Sequence, residues 1–120
     1  MPPTLNCRTR RPRLNMPKYV VISNHPPNTC PSANKVLKAA TKNMDKDLEP
    51  LMKKYKIKPD VVLHLDPGHK MVWVIEASTA ESVRDFVYAA GLSQWNDFEF
   101  YMASTLEDVT SWTEKLPTIF

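Results

Sequence analysis

The stretch Pro59-Asp60-Val61-Val62-Leu63-His64-Leu65-Asp66-Pro67-Gly68-His69-Lys70-Met71-Val72-Trp73-Val74-Ile75-Glu76-Ala77 decides the fold. Two apolar runs, Val61–Leu65 and Met71–Ile75, flank Asp66-Pro67-Gly68. Both runs are rich in β-branched residues and too short for a stable helix, so they read as strands. Between them, Pro67 presets a negative φ and Gly68 accepts a positive one, which is the chemistry of a turn. The stretch is a predicted β-hairpin. A hairpin tip needs neither imidazole nor carboxylate, yet His64, Asp66 and His69 sit in or beside this one.

Upstream, Tyr19-Val20-Val21-Ile22-Ser23 reads as a strand apolar on both faces, hence a central one. It runs into Asn24-His25-Pro26-Pro27-Asn28-Thr29-Cys30-Pro31-Ser32, a loop stiffened by its prolines. Ser32 is the expected N-cap of a helix on which Leu37, Ala40, Met44, Leu48, Leu51, Met52 and Tyr55 recur at helical spacing. Pro50 predicts a kink or break near Leu48, with a second short helix starting at Pro50.

Downstream of the hairpin, Ser78-Thr79-Ala80-Glu81 has the form of a capping box, opening a helix with Val83, Phe86, Val87 and Ala90 on one face and Gly91 at its end. Phe98-Glu99-Phe100-Tyr101-Met102 alternates as a half-exposed strand does. A tail helix starting near Thr105 groups Leu106, Val109, Trp112 and Leu116, and Pro117 ends it.

This order is α+β: a ferredoxin-like β-α-β-β-α-β sandwich with an antiparallel four-stranded sheet and an added C-terminal helix. Both helices cover one face of such a sheet. The other face is left open, and a bare apolar face is a large exposed patch. Its simplest cover is a second copy of the same sheet, so a homodimer through the open face is expected.

The topology also gathers residues that lie far apart in sequence. The first strand ends at His25, the second near His64 to Asp66, the third begins after His69, and the fourth begins after Trp95-Asn96-Asp97. In a ferredoxin-like sheet these points share one end. One rim then holds His25, Cys30, His64, Asp66, His69, Asn96 and Asp97, including every histidine of the chain.

Imidazole, thiolate and carboxylate together suit a transition metal better than calcium or magnesium. The candidate ligands are His25, Cys30, His64, Asp66 and His69, and the candidate metals nickel, zinc, copper and iron. The spacings His25-x4-Cys30 and His64-x4-His69 match no compact metal signature. For His64, which shares a strand face with Val62, a hydrogen bond to a neighbouring backbone group is the more frequent role of such a residue. A second chemistry makes Cys30 a reactive thiolate, lowered by the following helix N-terminus and supported by His25 or His69. A third places a small organic molecule in a cleft between sheet and helices, lined by Trp73, Tyr19, Phe98, Phe100 and Tyr101, with His64 or His69 as general acid–base. Aromatic residues at strand spacing are more often core. A structural or interaction protein with a merely polar rim is the remaining alternative. The chain has only two glycines, both used by turn and cap, so no glycine-rich phosphate loop or nucleotide cofactor is expected.

Length and charge agree with this outline. A chain of 120 residues builds one core, and no apolar run approaches the length of a membrane span. The net charge of +3 comes from residues 1–15, which hold four of the five arginines and no acid, leaving 12 basic against 13 acidic groups in the rest. Residues 1–15 therefore read as a disordered basic arm, with Met16 as the natural start of the chain or the arm without a folded role, and 16–120 as the single domain. The body is not basic enough to imply nucleic acid. Cys7 and Cys30 make no disulfide framework, which points to a reducing, cytoplasmic setting.

From Met16 to about Val109 the chain resembles the small ferredoxin-like proteins of the dimeric α/β-barrel superfamily. The resemblance lies in Met16-Pro17-Lys18-Tyr19-Val20-Val21-Ile22, Ala80-Glu81-Ser82-Val83-Arg84-Asp85-Phe86 and Gln94-Trp95-Asn96-Asp97-Phe98-Glu99-Phe100, which look most like an uncharacterised family within it. It implies the same fold and dimer. For activity it implies cofactor-independent oxygenation, isomerisation of small organic acids, or nickel binding.

Overall fold

A computed structural model of the chain describes residues 16–120. The basic arm and Cys7 lie outside the described residues. The elements run β1 (Lys18–Asn24), α1 (Lys35–Ala40), α2 (Met44–Tyr55), β2 (Lys58–Leu65), β3 (Lys70–Glu76), α3 (Ala80–Ala89), β4 (Asp97–Ala103) and α4 (Leu106–Lys115). The strands form one antiparallel sheet in the order β2-β3-β1-β4, which is the ferredoxin-like sandwich. Among the described residues no helix is long and apolar enough to cross a membrane.

Central placement explains the composition of β1. Tyr19, Val21 and Ser23 are buried on the helix side, and Val20 and Ile22 are half-buried on the other. The core joins Tyr19, Val21 and Ile75 of the sheet to Leu48 of α2 and to Val83 and Phe86 of α3, together with Ile57 and Ala77. Of the aromatic residues considered as cleft lining, Tyr19 belongs to this core and Trp73 and Phe98 pack against it. Tyr101 lies on the opposite face and is exposed.

The strand register separates the two sheet faces. Val20, Ile22, Val72, Val74, Leu63 and Tyr101 share the face that carries no helix core. The tail helix α4 starts next to Thr105, as expected; the Thr105 side chain caps it by accepting from the Asp108 N–H, and its Leu106, Val109, Trp112 and Leu116 are all exposed.

Four local details differ from the sequence reading. The first helix is capped by Asn34 rather than Ser32, because the Asn34 carboxamide accepts from the Leu37 N–H at 3.0 Å. The helical region breaks at residues 41–43, earlier than Leu48, and Pro50 lies inside α2. Pro50 lies past the first turn of α2, so its missing N–H removes the regular helical bond to the Lys46 carbonyl. Thr79, not Ser78, caps α3, its hydroxyl accepting from the Ser82 N–H while the Ser82 hydroxyl donates to the Tyr55 carbonyl. The hairpin tip closes through a cis Asp66–Pro67 bond, with the Gly68 N–H donating to the Leu65 carbonyl at 3.0 Å; of the two glycines Gly91 takes a positive φ and Gly68 does not.

Candidate metal centre

The antiparallel register brings four strand ends together. Asn24 of β1 stands opposite both Lys70 of β3 and Asp97 of β4, and Leu65 of β2 stands opposite Lys70. The residues just beyond those positions form the rim. One more backbone bond extends the β1–β3 ladder, from the His25 N–H to the His69 carbonyl at 3.1 Å. It holds the two histidines opposite each other, with ring centroids 5.4 Å apart and tilted by 59°.

Cys30 reaches the same place through a rigid loop. Pro27–Thr29 form a short 3-10 turn, closed by the Cys30 N–H donating to the Pro27 carbonyl at 3.1 Å. The Cys30 carbonyl in turn accepts from the N–H groups of Ala33 and Asn34, at 2.9 and 2.8 Å. With both backbone groups fixed, the thiol is held at the rim instead of swinging with a free loop. His25, Cys30 and His69 each offer a ligand atom, and these three atoms all lie within 4.8 Å of one another.

The thiol is a thiolate at neutral pH. Hydrogen bonds from the Ser32 hydroxyl, 2.9 Å from Sγ, and from the Ser32 backbone N–H are the largest of the causes that pull its pKa down to about 6, and burial opposes the shift. Donors aimed at sulfur stabilise its charged form. This corrects the expected origin of the effect. The helix α1 begins five residues after Cys30, too far for its N-terminus to act, and Ser32, expected as its cap, serves the sulfur instead.

His25 is the most enclosed of the three, with 9% of its surface exposed. Its Nδ1 lies 3.0 Å from Asn96 Oδ1, and the Trp95 ring flanks it at 5.3 Å between centroids. Its Nε2 is buried and has no hydrogen-bond partner. Buried polar atoms almost always have one, so an orphan beside a thiolate and a second imidazole calls for a physical account.

His64 and Asp66 do not join this group. They form their own pair, His64 Nδ1 to Asp66 Oδ1 at 2.7 Å, at an exposed position on the β2 edge. A strand end carrying residues two apart on the same side brings those two together first. Asp97 is exposed and pairs in register with Asn24. Asn96, counted in the sequence only as a polar rim residue, proves to contact a candidate ligand directly. Ser32 was likewise legible only as a cap.

Between α3 and β4 lies a cavity of about 470 Å³, with Val83, Arg84, Val87, Asn96, Phe98 and Phe100 in its walls. No histidine or cysteine lines it. The sheet–helix cleft expected for an organic ligand is therefore present as a space, without the general acid–base that His64 or His69 would have supplied.

The chain matches no family model. No curated protein is similar to it at a significant level. The site is thus read from its own geometry.

Proposed function

We propose that this chain is a transition-metal-binding protein whose centre is formed by His25, Cys30 and His69. The observation that carries the reading is the buried, unpartnered His25 Nε2 in a group with a thiolate and a second imidazole. Two nitrogens and one sulfur are the donor types of zinc, copper, nickel and iron sites, and hard, oxygen-seeking cations would not choose them. Three protein ligands leave a position open, the pattern of centres that act on a bound molecule rather than of closed structural sites. His25 comes from the end of β1, Cys30 from the proline loop and His69 from the hairpin tip, so the folded sheet positions all three.

Elemental analysis of the untagged protein before and after chelation, with thiol counting on the same samples, tests this. Near-stoichiometric nickel, zinc, copper or iron that protects Cys30 from thiol reagents is the expected result. Metal-free protein that takes up none of these ions on reconstitution, with Cys30 freely modified, removes the reading.

The cavity between α3 and β4 favours a second reading, an oxygenase- or isomerase-type enzyme acting on a small organic molecule there. Its walls offer Arg84 and Asn96 as polar anchors and carry the carboxylates Glu81 and Asp97, but neither of the histidines expected to serve as general acid–base. The metal reading therefore stands first. Membership of the dimeric α/β-barrel superfamily is part of the same proposal, supported by the topology.

A homodimer through the open sheet face completes it. Val61, Leu63, Leu65 and Tyr101 are each more than a third exposed, and they adjoin the half-buried Val20, Ile22, Val72 and Val74. Such an apolar face is what a second copy would cover. Leu63→Glu, at a position 55% exposed, should leave the subunit folded and shift it from dimer to monomer in light scattering coupled to size-exclusion chromatography. A wild-type monomer, or a dimer indifferent to Leu63→Glu, would count against this interface.

A further inference from the structure

We infer that Asn96 is the positioning residue of this centre: it holds the proton of the neutral His25 ring on Nδ1 and so leaves the buried Nε2 as the nitrogen open to a metal ion. The inference rests on the metal reading for its purpose, but its geometry stands independently of any metal.

The two ends of the Asn96 carboxamide are distinguished by their partners. Its Nδ2 donates to the Leu92 carbonyl at 3.0 Å. A carbonyl only accepts, so the opposite orientation would set Oδ1 against another oxygen and is excluded. Oδ1 is thereby turned toward His25 Nδ1, at 3.0 Å. An amide oxygen cannot donate, so the imidazole supplies the proton of that bond from Nδ1. In a neutral imidazole the proton on Nδ1 leaves Nε2 unprotonated.

That nitrogen is the buried atom without a partner. An unprotonated sp² nitrogen, desolvated and unbonded, is left in a state that a metal ion relieves. The usual companion of a metal-bound histidine is an acceptor on its other ring nitrogen, which sets the tautomer and holds the ring plane. Asn96 occupies that place here, with the Trp95 ring packed beside the imidazole.

The support for Asn96 is itself built in. Its backbone N–H also donates to the Leu92 carbonyl, at 3.1 Å, and Leu92 is buried. The segment begins at Gly91, whose φ of 71° favours glycine, and passes through the 3-10 turn Leu92–Gln94 into β4. The residue before a strand is thus anchored to the core on one side and to the histidine on the other. An asparagine suits this role better than an aspartate, because only the carboxamide bonds both Leu92 and His25 in one orientation.

The test pairs imidazole NMR with metal titration on the wild type, Asn96→Ala and Asn96→Asp. In the chelated wild type, the ¹⁵N shifts of the His25 ring should report a proton on Nδ1 and none on Nε2. In Asn96→Ala the two tautomers should interconvert, and zinc affinity, measured by competition with a chromophoric chelator, should fall by about 10- to 100-fold. Asn96→Asp keeps an acceptor at Nδ1, so it should retain the wild-type tautomer and recover most of the affinity; a role confined to bonding Leu92 would give no such recovery. A proton on Nε2 in the chelated wild type, or an Asn96→Ala protein with the wild-type tautomer and affinity, overturns the inference. If no variant, wild type included, binds zinc, nickel, copper or iron, the metal reading fails; the tautomer comparison between wild type and Asn96→Ala still decides whether Asn96 positions His25.

Discussion

Cys30→Ser should lower the affinity for zinc or cobalt by at least about 100-fold, which is about 2.8 kcal/mol at tenfold per 1.4 kcal/mol. A hydroxyl at this position stays protonated at neutral pH and offers a weak neutral donor where the thiolate offers a charged one. Cobalt(II) makes the result visible: the wild-type complex should show sulfur-to-cobalt charge-transfer absorption, and the Cys30→Ser complex should lack it. His25→Ala should match this loss in affinity, because it removes the most deeply enclosed donor and leaves a gap behind Cys30. His64→Ala serves as the control. Its partner is Asp66 and it lies outside the group of three, so its affinity should stay within about twofold of the wild type. Equal losses in His64→Ala and Cys30→Ser would mean that the centre extends to the β2 edge. Wild-type affinity in Cys30→Ser would mean that sulfur is not a ligand.

Phe86→Ala should destabilise the domain by about 3–5 kcal/mol, the cost of deleting a buried aromatic ring and leaving part of its volume empty. Phe86 is 2% exposed and sits on α3 within the cluster that includes Tyr19, Val21, Ile75 and Val83. Against a total stability of about 5–15 kcal/mol for a domain, a loss of that size moves the urea midpoint substantially. The metal site should weaken with it, since the strands that present His25 and His69 rest on this core. A loss below about 1 kcal/mol would show that α3 is not a principal wall of the core. Phe100→Ala offers a comparison on the same side of the sheet. That ring is 41% exposed, so its removal should cost far less than that of Phe86.

The position of the centre follows from chain direction. In an antiparallel sheet ordered β2-β3-β1-β4, the ends of β1 and β2 and the starts of β3 and β4 share one edge. His25 and His69 are then opposite each other because the β1–β3 pairing continues one residue past Asn24 and Lys70. A shift of one residue in that pairing would turn one imidazole to the other face of the sheet. The site is therefore as stable as the register, and the register is held by Tyr19, Val21 and Ile75 in the core.

By itself the sequence determined the elements, their order and the rim. Strand periodicity, the Gly91 stop, the helix start near Thr105 and the apolar helix faces are local properties, and the element order admits the ferredoxin-like sheet with its common edge. Local signals also misled where two residues competed for one role. Ser32 and Asn34 both suit an N-cap, as do Ser78 and Thr79, and only the packed chain chose between them. The helix break moved away from Pro50 because residues 41–43 already end α1. Tertiary structure alone decided which polar rim residues meet. His64 and Asp66 are two residues apart and satisfy each other, whereas His25, Cys30 and His69 converge through a strand register, a 3-10 turn and a hairpin tip. Nor does any spacing in the chain connect Asn96 to His25, which are 71 positions apart. Their hydrogen bond exists because β1 and β4 are neighbours in the sheet, and that pairing leaves His25 Nε2 without a protein partner.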